Sequence, residues 1–166
     1  MPVNVEITSR QTACRVRPAR LKRLTAHFMQ QVEARTPGRR WHAIHVVLTD
    51  DAGIARVNER FLKHSGATDV ISFSYRPIAG GADGLDAEIL VNVQRAQDLG
   101  PRFGGVSGEL ALYVAHGCDH LSGANDRTAE QRRRMRRRER RWLRESDALG
   151  LMTGLIRPAC PAGSAS

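Results

Sequence analysis

The chain has 166 residues, 41% of them hydrophobic, a formal net charge of +9 at pH 7 and three cysteines. This size and composition predict one domain with one core. The odd, widely spaced cysteines exclude a disulfide framework, and the lack of any run of about 18 apolar residues excludes a membrane-spanning helix. We therefore expect a cytoplasmic protein with no secretory leader and no membrane partner.

The predicted elements mix strands with helices in chain order. Alternating or β-branched apolar runs predict strands at residues 3–8, 43–48, 68–75 and 86–93. Apolar residues at helical spacing predict helices at 18–32, 51–62, 94–99, 107–122 and 127–149. No helix separates the last two strands, so they can pair as an antiparallel hairpin.

These elements predict an α+β fold. We expect a compact single domain over residues 1–152, with a mixed sheet of about four strands packed with helices. Residues 153–166 are rich in Pro, Ala, Gly and Ser, and this composition predicts a flexible C-terminal tail.

The segment HGCDHLSGAND, which begins at His116, has the spacing of a metal site. His116 and His120 differ by four helical steps, so their imidazoles lie about 40° apart on one helix face. Gly123 can take a positive φ and turn the chain, so that Asp126 offers an oxygen from another direction. Three such ligands leave a fourth position for water, as in catalytic zinc sites.

Two alternatives remain beside this metal hypothesis. Two histidines at this spacing are also common in ordinary helices. Asp119 is the rival of Asp126 as the oxygen ligand, although solvent-facing helix polarity explains Asp119 adequately.

The same segment disfavours a metalloprotease. In the H-E-x-x-H helix the general base directly follows the first histidine. Gly117 stands at that position and has no side chain. Cys118 lies about 200° round the helix from His116, which predicts a core residue. The remaining histidines lack paired spacing, and we interpret them as structural or surface residues: His27, His42, His45 and His64.

At these residues the sequence resembles the YbeY family, metal-dependent endoribonucleases of bacterial rRNA maturation. The family motif H-G-x-L-H-L-x-G-x-D-H corresponds here to HGCDHLSGAND. Further segments similar to the family are Val57-Asn58, residues 68–73 (TDVISF) and Glu88-Ile89. Together the matches cover about residues 45–140, and their combination is specific.

The resemblance implies a metzincin-like α+β fold with the metal-binding helix in the core. It implies one Zn²⁺ per chain, held at the positions of His116, His120 and Asp126. It also implies a single-stranded rRNA precursor as substrate, and a role with the small ribosomal subunit in rRNA maturation and ribosome quality control.

Three positions depart from the family pattern. Asp126 stands where the motif usually has His, and two histidines with one carboxylate also form the ligand set of non-haem iron oxygenases. Leu62 stands, by register, where the family usually has an Arg that contacts RNA phosphate. Arg60 and Lys63 are the candidates to replace that contact, although a helix would point them elsewhere. Asp119 replaces an apolar Leu.

A strongly basic helix follows the motif. Ten arginines and two glutamates between residues 127 and 144 carry eight of the nine net positive charges. Such a helix predicts contacts with RNA phosphates, each of which adds salt-dependent affinity. The candidates are Arg132, Arg133, Arg136, Arg137 and Arg140. The alternative is a solvated amphipathic helix anchored by Met135, Trp142 and Leu143.

Two functions therefore remain open. The first is a single-strand-specific, zinc-dependent endoribonuclease. The second is a metal-stabilised ribosome-assembly factor that binds RNA without cutting it, which the Leu at position 62 favours.

Overall fold

The structure is a computed structural model that describes residues 2–77, 79–81 and 83–158. Its strands are β1 (Asn4–Ser9), β2 (Trp41–Thr49), β3 (Val70–Tyr75) and β4 (Leu85–Asn92). They form one sheet in the order β1-β2-β4-β3. The first two strands and β4 run parallel, whereas β3 pairs with β4 antiparallel. The predicted mixed sheet and hairpin are therefore confirmed.

Five α-helices occur in this part of the chain: α1 (Pro18–Arg35), α2 (Asp51–Val57), α3 (Val93–Leu99), α4 (Val106–Leu121) and α5 (Ala129–Ala148). The predicted α+β class is thus confirmed, while the metzincin-like arrangement stays a prediction. No helix among the described residues is long and apolar enough to cross a bilayer.

Helix α4 lies at the centre of the fold. It contacts β3 and β4 of the sheet and the helices α1, α3 and α5. The main core joins α1, α4, α5 and one face of the sheet, and its largest fully buried side chains include Phe28, Ile89 and Trp142. A smaller cluster covers the other sheet face, where Ile54 of α2 packs on Val47. The helix that carries the two motif histidines therefore sits inside the core.

The predicted helix over residues 51–62 is shorter than expected. α2 ends at Val57, and Asn58–Leu62 forms one π-helical turn. The Asn58 side-chain amide donates to the carbonyl of Gly66 at 3.0 Å, and this bond ties the turn to the following loop. Phe61 and Leu62 are 60% and 41% exposed, so they do not continue the buried apolar face on which the predicted helix over residues 51–62 depends.

The flexible tail predicted for residues 153–166 begins too early in the chain. Leu155 is fully buried in the main core. The Arg17 amide donates to the Leu155 carbonyl at 2.8 Å, and the Arg157 amide donates to the Arg15 carbonyl at 2.8 Å. Residues 153–158 are therefore part of the folded body, because one buried leucine outweighs a composition typical of a tail. Residues 159–166 lie outside the described part of the chain.

Gly117 lets α4 approach the sheet closely. A Cβ at this position would lie 2.7 Å from Cγ2 of Ile89 and 3.0 Å from both Oγ of Ser72 and Cγ2 of Val70. The Ser72 hydroxyl also donates to the Gly117 carbonyl at 3.0 Å. The absence of a side chain, which argued against a protease, thus has a packing function.

We predict that Gly117→Ala lowers the free energy of unfolding by about 1–3 kcal/mol, because the added methyl group overpacks the contact between α4 and the sheet. The matched control is Gly108→Ala in the same helix, where a Cβ would have no neighbour within 4 Å. Alanine's higher helix propensity should raise stability there by up to about 1 kcal/mol. Urea unfolding followed by circular dichroism measures both variants, and equal stabilities would contradict this account.

Candidate functional site

One side of α4 opens into a cleft. Gly108, Leu112, His116 and His120 recur every four residues and are half-buried, whereas every other residue from 109 to 121 is buried. The first three of these four line a cleft of about 650 Å³ whose other wall is α5, and Asp126 lines it too. Helical periodicity has thus placed His116 at the edge of a cavity and His120 on the same partly open face of α4.

The three predicted ligands lie together. Nε2 of His116 lies 3.1 Å from Nε2 of His120. Each of these nitrogens lies 3.9 Å from Oδ2 of Asp126. The chain reverses directly after α4 at Gly123, where φ is +89°, and this turn returns Asp126 to the histidines. One ligand atom from each residue falls within 4.8 Å of the others, a group that could hold a metal ion.

The hydrogen bonds of the two rings fit a cation. Nδ1 of His116 lies 2.7 Å from a carboxylate oxygen of Glu139, and Nδ1 of His120 lies 3.0 Å from the Ala124 carbonyl. Both partners are acceptors, so each ring donates from Nδ1 and leaves a lone pair on Nε2. These lone pairs face each other, and tetrahedral Zn²⁺ ligation would separate such nitrogens by about 3.3 Å. The donor set therefore fits a zinc ion.

The charges around His116 also favour a cation at this site. Burial lowers the pKa of His116, but the hydrogen bond and charge of Glu139 outweigh it, with help from Asp69 and Asp126, so that the pKa lies above its usual 6.5. The surrounding carboxylates thus favour positive charge at this ring. Because a metal needs the neutral imidazole, protons compete with the metal for this ring, so the affinity for the metal should fall as the pH is lowered.

Glu139 is a site residue that sequence reasoning missed. It is only 3% exposed, whereas its position among the arginines of a basic helix predicts a surface residue. The signal was present in the spacing, because the buried face of α5 consists of Met135, Glu139, Trp142 and Ser146. A carboxylate that accepts from a metal-ligating histidine fixes its tautomer and orientation.

Asp119 is neither a ligand nor a solvent-facing residue, so both interpretations of it from the sequence are wrong. It is fully buried, and its two oxygens each accept from the Arg138 guanidinium at 2.7 Å. The position stays buried, as the apolar Leu of the family motif suggests, because an arginine from α5 neutralises the carboxylate. Arg138 is thereby committed to the protein interior.

The predicted RNA-binding arginines divide into two groups. Arg132, Arg136 and Arg140 are spaced by four residues and line the cleft beside His116. Arg133 and Arg137 are exposed but are not among the residues that line it. The structure thus separates the arginines that can act with the metal site from those that face elsewhere.

Arg132 has a structural partner in addition. Its guanidinium donates to the carbonyl of Asp126 at 2.9 Å and to that of Arg127 at 3.2 Å. This contact holds the loop that returns Asp126 to the histidines.

The two residues proposed to replace the family arginine lie elsewhere. The Arg60 guanidinium stacks over the Phe61 ring at 5.3 Å. The Lys63 ammonium donates to the Arg60 carbonyl at 3.2 Å. Neither is among the described residues that line the cleft.

The comparisons with known proteins agree with one another. A family model described as Endoribonuclease YbeY matches residues 6–147. A Solibacter usitatus protein named Endoribonuclease YbeY is 30% identical over 93% of this chain and 95% of its own length. Proteins of the same name from Elusimicrobium minutum and Rhodopirellula baltica are 35% and 38% identical over 55% and 58% of this chain. The alignments span only 66% and 50% of those two relatives.

A solved structure shows the same fold. The solution structure of TM1509 from Thermotoga maritima matches 96% of this chain and 99% of that one with a TM-score of 0.59. The two sequences are 18% identical, so this likeness shows the fold alone.

We predict that Glu139→Gln weakens zinc binding by about 10- to 100-fold, because the neutral amide holds the His116 ring less firmly and makes it less basic. The matched control is Glu145→Gln, which alters a largely exposed carboxylate in the same helix. Competition with a chromophoric chelator measures both affinities. Equal affinity in the two variants would show that Glu139 does not support the site.

Proposed function

The chain belongs to the YbeY endoribonuclease family, and we propose that it is a zinc-dependent endoribonuclease that cleaves single-stranded rRNA precursors. The observation that supports the proposal best is the convergence of His116, His120 and Asp126 at one end of an arginine-lined cleft. A cation site supplies electrophilic chemistry, and the adjacent arginines attract a polyanionic chain.

Each residue of the site has a part in this proposal. His116, His120 and Asp126 would hold the ion, while Glu139 orients the first imidazole. When bound, zinc supplies Lewis-acid chemistry, since it polarises a phosphoryl oxygen and makes water more acidic.

The substrate side of the cleft is supplied by α5. Arg136 and Arg140 extend along the cleft from the metal site, where they can pair with phosphates on either side of the cleaved bond. Such pairing positions the RNA and contributes the salt-dependent part of its affinity.

The carboxylate ligand determines how strong a Lewis acid the bound metal is expected to be. Two histidines and one carboxylate hold zinc in known hydrolases, so Asp126 is compatible with catalysis. Its negative charge should make the ion a weaker Lewis acid than three histidines would. Iron or manganese on the same ligands is the alternative.

Membership of the family supports a proposal about where and on which RNA the protein acts. We propose that the protein acts in the cytoplasm on rRNA in association with the small ribosomal subunit, in rRNA maturation and ribosome quality control.

The test is cleavage of an end-labelled single-stranded rRNA fragment. We expect cleavage that a chelator abolishes and added zinc restores. His116→Ala should lower the rate by about 100-fold or more, because the electrostatic stabilisation of the transition state is lost. The control is His42→Ala, since His42 lies on the sheet and pairs with Asp86. If His116→Ala cuts the RNA as fast as the wild type, the proposal fails.

A non-cleaving RNA-binding assembly factor is the second candidate. It is favoured by Leu62, which lies exposed where the family usually has an arginine. Under this hypothesis the same RNA fragment is retained by the protein, stays intact with zinc present, and is bound equally well by His116→Ala.

A further inference from the structure

The cleft continues beyond the metal site to a buried carboxylate. Glu109 lies seven residues before His116 on α4, which separates them by about 10 Å along the helix axis. Glu109 is only 7% exposed and lines the cleft. Neither the metal ligands nor the arginines account for a carboxylate at this depth.

Glu109 keeps acceptor capacity toward the cleft. A carboxylate has about four acceptor positions, and the neighbouring Tyr113 hydroxyl can take only one of them. Burial, with this hydrogen bond and the Glu109 charge, strongly raises the pKa of Tyr113, so the hydroxyl remains a donor. A buried carboxylate is costly unless further donors reach it. The cleft therefore suits a ligand that presents N–H groups to Glu109.

The walls of the cleft suit a flat ring. Apolar and sulfur-containing side chains from α4, α5 and the segments before α4 and after α5 line it: Phe103, Leu112, Met135, Leu143 and Met152. Thioether and aromatic groups contact ring faces favourably. The volume of about 650 Å³ lies within the range of small-ligand sites.

We propose that this part of the cleft binds one nucleobase of the RNA, next to the phosphate at the metal site, and prefers guanine. The inference rests on the proposed function and specifies its substrate. A distance of about 10 Å suits one nucleotide, with its base edge at Glu109 and its phosphate at His116. Arg136 and Arg140 hold the backbone at the cleft rim.

Guanine is preferred because of its hydrogen-bonding edge. Its ring N1–H and exocyclic amino group form two parallel donors that match one carboxylate. Adenine and cytosine place a ring acceptor beside their amino group, and that acceptor would face a carboxylate oxygen. Uracil has one donor between two carbonyl acceptors. A bidentate contact of this kind discriminates by about tenfold or more.

Gly108 provides the means to fill the cleft without touching the metal ligands. It lines the cleft one residue before Glu109, and a Cβ there would meet nothing within 4 Å. Gly108→Phe projects a ring into the space proposed for the base. Gly108→Ala makes the same backbone change and leaves the space open, so it is the matched control.

The experiment measures binding of nucleoside monophosphates to the purified full-length protein by isothermal titration calorimetry. These probes have no phosphodiester bond, so binding is read without cleavage. We expect guanosine monophosphate to bind about tenfold more tightly than uridine monophosphate. Gly108→Phe should weaken the binding of guanosine monophosphate about tenfold or more relative to Gly108→Ala. Glu109→Gln should remove the preference for guanine over uracil.

The outcomes separate this inference from the proposed function. Equal binding of all four monophosphates, or equal guanosine monophosphate binding by the two Gly108 variants, overturns the base site even if RNA cleavage depends on His116. Guanine-selective binding that Gly108→Phe abolishes supports the base site even if no RNA is cut, in which case the proposed cleavage fails. Circular dichroism verifies the fold of each variant, and Glu109→Gln tests the site independently of Gly108.

Discussion

The attachment of α5 to α4 through two adjacent charged contacts determines the rest of the site. Arg138 pairs with the buried Asp119, and its neighbour Glu139 accepts from His116. Asp119 and Arg138 form a buried ion pair, and removing one member of such a pair typically costs about 3–5 kcal/mol. Glu139 is buried as well, whereas its partner His116 is half-buried and lines the cleft. The position and rotation of α5 are therefore defined at the level of the metal site.

This attachment determines which face of the basic helix α5 lines the cleft. Once Glu139 and Trp142 face the core, the four-residue spacing of Arg132, Arg136 and Arg140 places these arginines along the cleft. The same helix then carries out three tasks. It orients a ligand histidine, closes one wall of the cleft and lines its rim with positive charge. A surface charge run alone would have provided only the last of these, without orientation.

The sequence predicted the parts of the structure that depend on local spacing. The positions of the four strands, the β3–β4 hairpin and the convergence of His116, His120 and Asp126 follow from periodicity and one glycine turn. Asp119 and Leu155 could not be placed in this way, because their burial depends on partners far along the chain. A charged residue on a helix usually faces water, and only the position of Arg138 on α5 shows that Asp119 does not.

The central claim is that three residues of one segment hold one metal ion, and elemental mass spectrometry of protein purified without chelator tests it most directly. Wild type should carry about one zinc ion per chain, and Asp126→Ala should carry far less. The control Asp86→Ala, which removes an exposed carboxylate paired with His42 on the sheet, should retain the metal. No metal in the wild type, or equal metal in Asp126→Ala, would contradict the account.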